Sequence, residues 1–170
     1  MRIRPYIPVL DFEKIKNWST DERTHTMWCA NLFQYPIEKE NFHSVIQDFA
    51  IRCGDSGFVA TTDDGEPVGF FCYALDFTTN EGMLKFVMVD PKQRGMGIGK
   101  QMLKLAVEYA FCITKADSVQ LNVFLENPRA RKCYEGVGFV ERKSVPNSFP
   151  FHDELWGKCN MVIRKTDTER

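Results

Sequence analysis

A chain of 170 residues, 44% of them hydrophobic, is long enough to bury one substantial core and too short for two ordinary domains, so residues 1–170 are expected to form one domain. With 22 basic and 23 acidic residues the net charge is -1, which provides no whole-chain field for nucleic acid, an anionic membrane or another polyanion. No apolar run has the length of a signal peptide or a membrane span, and the expected address is the cytoplasm.

The chain opens on a short strand, roughly Arg2 to Ile7, followed by polar, aromatic-rich helical segments. Ser19 with Glu22 reads as a capping box before a helix containing Met27, Trp28 and Leu32. Phe42, Val45, Ile46, Phe49 and Ala50 share one helical face, and Gly54 is placed to stop that helix. Gly57 to Thr62 and Val68 to Leu75 are β-rich runs joined by Asp63-Asp64-Gly65-Glu66, which has the turn chemistry of a hairpin. Leu84 to Val89 is almost continuously apolar and predicts a central strand covered on both sides, with Leu84, Phe86 and Met88 on one face. A helix from about Gly97 to Ile113 carries the stripe Ile98, Met102, Leu105, Tyr109 and Ile113. Val119, Leu121, Val123 and Leu125 alternate as a strand, and Asn127-Pro128 opens a short helix that Gly138 closes. Phe139 to Val145 and Asn160 to Ile163 predict two further strands separated by a proline- and aromatic-bearing loop, and Lys165 to Arg170 reads as a frayed tail.

The six cysteines show no C-x-x-C and no histidine stands at zinc-ligand spacing, so no metal is expected. Most lie among apolar neighbours, as reduced core residues do.

The most informative stretch is Arg94-Gly95-Met96-Gly97-Ile98-Gly99-Lys100, which joins the buried strand to the amphipathic helix. Glycines there can take positive φ and let a ligand approach the main chain. The first amides of the helix lack carbonyl partners and lie at the positive end of its dipole, so a diphosphate fits such a nest. A P-loop is excluded because the spacing is one residue short and Gln101 stands where its hydroxyl belongs. A dinucleotide fingerprint is excluded because the third glycine comes one residue early. A tight strand-to-helix turn would also explain the glycines, but Arg94 and a second motif weigh against that alternative.

Arg94-x-x-Gly97-x-Gly99 resembles the R-x-x-G-x-G signature by which the GNAT superfamily of N-acetyltransferases binds CoA. Asn127-x-x-Ala130-x-x-x-Tyr134-x-x-x-Gly138-Phe139 resembles that family's second motif. The close resemblance covers about Leu84 to Phe139; the amino-terminal third and Val145 to Asn160 carry no assignable motif. It implies an α/β fold with a mixed, mostly antiparallel central sheet, splayed fourth and fifth strands, and helices on both faces. It also implies acetyl-CoA as co-substrate, with the pyrophosphate on main-chain amides of Arg94, Gly95, Met96, Gly97, Ile98, Gly99 and Lys100. Val87, Met88 and Val89 would present strand main chain to the pantetheine arm and the acetyl carbonyl, as an added strand would pair. Asn127 would bind CoA, and Tyr134 would act as general acid toward the departing thiolate. From the residues alone, Asn127 is equally a helix cap, Tyr134 a core residue, and Lys100, Arg129 and Lys132 solvated side chains.

The implied reaction is direct transfer in a ternary complex to a primary amine, which must lose a proton before attack. Glu81, just before the central strand, is the first candidate for the base, with Asp76, His152 and Glu154 as alternatives; each also reads as a surface charge. Trp28, Phe33, Tyr35, Phe149, Phe151 and Trp156 fall where this family builds its substrate cleft, and serve equally as packing. The layout most resembles bacterial ribosomal-protein and antibiotic or small-amine acetyltransferases, acting as monomer or homodimer. A non-catalytic CoA-binding regulatory module on the same fold is the alternative, against which the retention of Tyr134 argues.

Overall fold

The computed structural model describes residues 1–166. Strand β1 (Arg2–Pro5) leads into helices α1 (Pro8–Ile15), α2 (Glu22–Cys29) and α3 (Lys39–Cys53). Strands β2 (Ser56–Thr61), β3 (Pro67–Asp76) and β4 (Glu81–Val89) follow, then helix α4 (Ile98–Glu108), which runs on into a π-helical turn, Tyr109–Ile113. Strand β5 (Ser118–Phe124), helix α5 (Pro128–Glu135) and the strands β6 (Val140–Phe151) and β7 (Glu154–Arg164) complete the chain. The seven strands make one sheet in the order β1-β2-β3-β4-β5-β7-β6, antiparallel at every pairing except β4 with β5.

Helices cover both faces, as the α/β expectation requires. On one face Met102, Leu103, Ala106 and Val107 of α4 pack with Phe71, Leu84, Val119 and Leu121. On the other, Phe12 and Ile15 of α1 and Phe42 of α3 pack with Val59, Phe70, Phe86 and Met88. Burying a phenylalanine as completely as Phe42 contributes about 2–3 kcal/mol. A satellite cluster of Phe124, Phe151 and Trp156 sits beneath α2 against Met27 and Ala30.

Several local expectations are corrected. The cap of α2 is Asp21 rather than Ser19: its carboxylate accepts from the Thr24 amide at 2.8 Å, and an ionised oxygen is a stronger acceptor for a helix amide than a hydroxyl. The helix then ends at Cys29, with Ala30 left-handed at the cap, so Leu32 lies outside it and is exposed. In α4 and the π turn the buried band is Met102, Leu103, Ala106, Val107, Ala110 and Phe111; of the predicted stripe Met102 is fully buried, Ile98 and Tyr109 pack at the edge of the core, and Ile113 is exposed. The π turn, closed by the Thr114 amide on the Tyr109 carbonyl, carries Ile113 into solvent. Gly136 rather than Gly138 caps α5; Gly138, at φ 116°, turns the chain toward β6.

The expected loop between the last strands is instead a continuation of both, so β6 and β7 form a long hairpin. Pro146 and Pro150 are tolerated because β6 is an edge strand, where a missing amide leaves no ladder partner unpaired, and register shifts between Val145 and Phe149 absorb the irregularity. Lys165 is anchored, its amide on the Asp117 carbonyl at 3.0 Å, against the expectation of a tail frayed from that residue; residues 167–170 lie outside those described. Cys29, Cys72 and Cys159 are buried, whereas Cys53 and Cys112 are exposed.

Candidate active site

The parallel strands β4 and β5 are paired only from Glu81 with Ser118 to Leu84 with Leu121. Past that point they part, and a cleft of about 500 Å³ opens between them, floored by Leu84 and Leu121. A β-bulge lies where the strands separate. Phe70 pairs with Met88 and Cys72 with Lys85, so Phe86 and Val87 together face the single residue Phe71. Phe86 takes φ 52° to make the bulge. This overturns the expected single face: Leu84 packs toward α4, while Phe86 and Met88 pack on the opposite face. The extra residue reverses the alternation, which a periodicity of two cannot anticipate.

At the far end of β4 the chain turns through Gly95 (φ 86°) and Gly97 (φ 80°) into α4. Gly97 is the N-cap and contributes no side-chain bond; the first helical bond runs from the Gln101 amide to the Gly97 carbonyl at 3.0 Å. Among the described residues the amides of Gly95, Gly97, Ile98, Gly99 and Lys100 have no backbone acceptor. A Cβ on Gly97 would stand in open space, whereas one on Gly99 would meet Cys133 Sγ at 3.3 Å. Gly97 therefore keeps the nest accessible, and Gly99 allows α4 to approach α5.

Arg94, Gly95, Gly97, Gly99, Lys100, Asn127 and Tyr134 all line the cleft, with Val87, Met88 and Val89 along its strand wall. The amides of Arg94 and Met96, expected to join the nest, instead donate to the Pro91 and Gln93 carbonyls, both at 3.4 Å; Met96 points to solvent, and Ile98, packed against the core, contributes only its amide. Arg129 and Lys132, read from sequence as possible solvated charges, also line it beside Arg94 and Lys100; a fifth cation of the lining, Lys85, is paired with Asp55 at 2.6 Å. Burial first, and Arg129 second, lower the Arg94 pKa below its usual value, the response of a cation short of counter-charge. The free amides and these cations fit a diphosphate.

Asn127 does cap α5, its side-chain oxygen accepting from the Ala130 amide at 3.2 Å, and the residue also lines the cleft. Tyr134 is buried in the wall of the cleft with its ring edge-on to Phe139 at 6.1 Å. Among the described residues no protein group hydrogen-bonds its hydroxyl. Burial raises its pKa well above the ordinary phenol value, which keeps the proton on the oxygen.

The carboxylates are placed elsewhere. Glu81 is absent from the cleft lining; its oxygens accept from Ser118 at 2.8 Å, Gln120 at 2.6 Å and Arg142 at 2.9 and 3.1 Å. It fastens β4 to β5 and β6 at the closed end of the splay. Replacement of Glu81 by Gln is therefore expected to change turnover by less than about threefold while lowering the melting temperature, as thermal denaturation beside a rate assay would show. Asp76 accepts from the Thr78 amide in an exposed turn, His152 pairs with Glu22, and Glu154 pairs with Arg23.

Of the aromatics, Trp28 lines the cleft, while Phe33 is core and Phe149, Phe151 and Trp156 belong to the satellite cluster. Thr24 and Met27 of α2 and Asn122 of β5 also line the cleft and went unassigned in the sequence, because no local pattern links a helix so early in the chain to a distant strand gap.

Residues 12–139 match the Acetyltransferase (GNAT) family, and the chain belongs to it. It is an acetyl-CoA-dependent N-acetyltransferase, transferring an acetyl group to an amine. Among curated proteins, an uncharacterized N-acetyltransferase of Methanocaldococcus jannaschii is 30% identical over 118 residues, covering 66% of this chain and 74% of the relative. The spermidine N(1)-acetyltransferase of Vibrio cholerae is 32% identical over 63 residues, 37% of this chain and 36% of its own length. The structure of spermidine N-acetyltransferase from Vibrio cholerae in complex with CoA and spermine shares the fold, with a TM-score of 0.81 at 20% identity, covering 96% of this chain and 94% of that one.

Proposed function

We propose that the chain, working as one domain in the cytoplasm, transfers acetyl from acetyl-CoA to a primary amine by direct attack within a ternary complex. The observation that carries this reading is the set of unpartnered amides at the start of α4, facing a cleft formed where β4 and β5 part. The pyrophosphate rests on those amides, assisted by Arg94, Lys100, Arg129 and Lys132. The pantetheine arm lies along the freed edge of β4, and the main chain beyond the bulge stabilises the oxyanion. As the carbon–nitrogen bond forms and the carbon–sulfur bond breaks, Tyr134 donates its proton to the thiolate, the nitrogen sheds its surplus proton to water, and Tyr134 is reprotonated from solvent before the next turnover. The amines acted on by the polyamine acetyltransferases among its relatives set the first acceptors to try.

Thiol release from acetyl-CoA with peptides, polyamines and aminoglycosides tests the reading. Turnover with one of these classes supports it; CoA binding without turnover for any amine would favour a regulatory module instead. With an acceptor in hand, kcat/KM is expected to rise from pH 6 through about pH 9, as the free-amine fraction of an alkylamine of pKa about 10 grows. Because burial raises the Tyr134 pKa, the acid stays protonated across that range and no alkaline fall is expected within it. A descending limb below about pH 9 would remove Tyr134 from the role.

A further inference from the structure

We propose that Trp28 is a positioning residue for acyl transfer: its indole N–H holds the Phe86 carbonyl out of the sheet and so fixes the bulge that presents the following main chain to the acetyl group. This rests on the acyl-transfer reading of the cleft.

The bulge leaves Phe86 without a register partner of its own. On one side β3 offers only Phe71 against both Phe86 and Val87, and on the other β5 has already separated beyond Leu84. Into that gap Trp28 Nε1–H donates to the Phe86 oxygen at 2.8 Å, across 58 residues of sequence. Phe86 also holds φ 52°, a left-handed conformation that an aromatic residue adopts only when its surroundings impose it. The indole bond is such a constraint, because it would be lost if Phe86 returned to an extended geometry.

Trp28 is itself held firmly. Its ring stacks on Phe33 at 5.0 Å and on Phe42 at 6.4 Å, and meets Phe86 edge-on at 6.3 Å. The helix that carries it is capped by Asp21. The donor thus belongs to a rigid aromatic block, while its acceptor belongs to the strand segment that lines the cleft. Oxyanion stabilisation depends on donors being fixed before reaction, at hydrogen-bonding distance from where charge develops. The pyrophosphate nest, at Gly95 and Gly97, lies beyond the end of β4 and makes no use of the Phe86 carbonyl, so losing the indole bond is expected to affect the chemical step and leave cofactor affinity intact.

The test removes one N–H and keeps the ring: Trp28 is replaced by benzothienylalanine, in which sulfur stands for the N–H, alongside Trp28→Phe. Acetyl-CoA labelled with carbon-13 at its carbonyl is bound to each protein, and affinity and the thioester carbonyl stretch are measured. The wild-type band is expected to fall on binding. In the variants it should return at least about halfway to the free position, with affinity kept within about twofold and kcat for any accepted amine lowered about tenfold. Variants that retain the wild-type band and kcat overturn the role of Trp28, as does a loss confined to the KM for acetyl-CoA. A wild-type protein that binds no acetyl-CoA overturns the transfer reading and this role together. Should Trp28→Phe fail to fold, the benzothienyl variant decides, since it preserves the stack.

Discussion

Replacing Tyr134 by Phe is expected to lower kcat about 10²-fold while the dissociation constant for acetyl-CoA changes by less than about twofold. The expectation follows from how little the substitution disturbs. The ring packs edge-on against Phe139 and is buried on all sides but the cleft, so phenylalanine keeps the packing and loses only a hydroxyl that makes no bond to the protein among the described residues. A thiolate expelled without a proton donor must be protonated by water, which the buried wall of the cleft admits poorly. Because deleting an unbonded hydroxyl removes no internal partner, the melting temperature should hold or rise slightly, separating a chemical loss from a folding loss. Stopped-flow thiol detection with a saturating amine would measure the effect; turnover within about threefold of wild type would remove the acid role.

Replacing Gly97 by Val is expected to weaken CoA binding at least about 30-fold, roughly 2 kcal/mol, the value of about one charge-assisted hydrogen bond. Its Cβ would enter open space at the mouth of the nest, where the diphosphate must approach the amides of α4. The residue sits at φ 80°, however, so any L side chain there also strains the backbone by about 1–2 kcal/mol. Gly65 supplies the control. It holds φ 89° in the turn between β2 and β3, again with nothing near its Cβ, and it is not among the residues lining the cleft. Gly65→Val should therefore lose comparable stability and keep CoA affinity, as calorimetric titration and thermal melts of the pair would show. Equal affinities in the two variants would contradict the nest.

Much of the glycine turn and its free amides was legible because it is local. The glycines, Arg94 and the start of α4 occupy one short stretch, and helix geometry alone dictates where its first amides point. Gly54 and Gly65 were likewise readable as a helix stop and a hairpin turn, since both hold positive φ. The acceptor side was not legible. Glu81 looked like a base by its position ahead of the central strand, but the side chains that occupy it, Arg142 and Gln120, come from strands far along the chain. Arg129 and Lys132 were indistinguishable from solvated charges until α5 was seen to turn them toward α4.

The sequence by itself determined most of the elements, though not their ends or the β6–β7 hairpin, together with the covered central strand and the family that its two motifs imply, because periodicity, capping and glycine conformation act over a few residues. Only the tertiary structure decided where β4 and β5 part, which way the chain faces after Phe86, and that a tryptophan in α2 holds that reversal in place. Those features depend on register between strands and on bonds between distant segments, and a one-residue slip in register moves every following side chain to the other face.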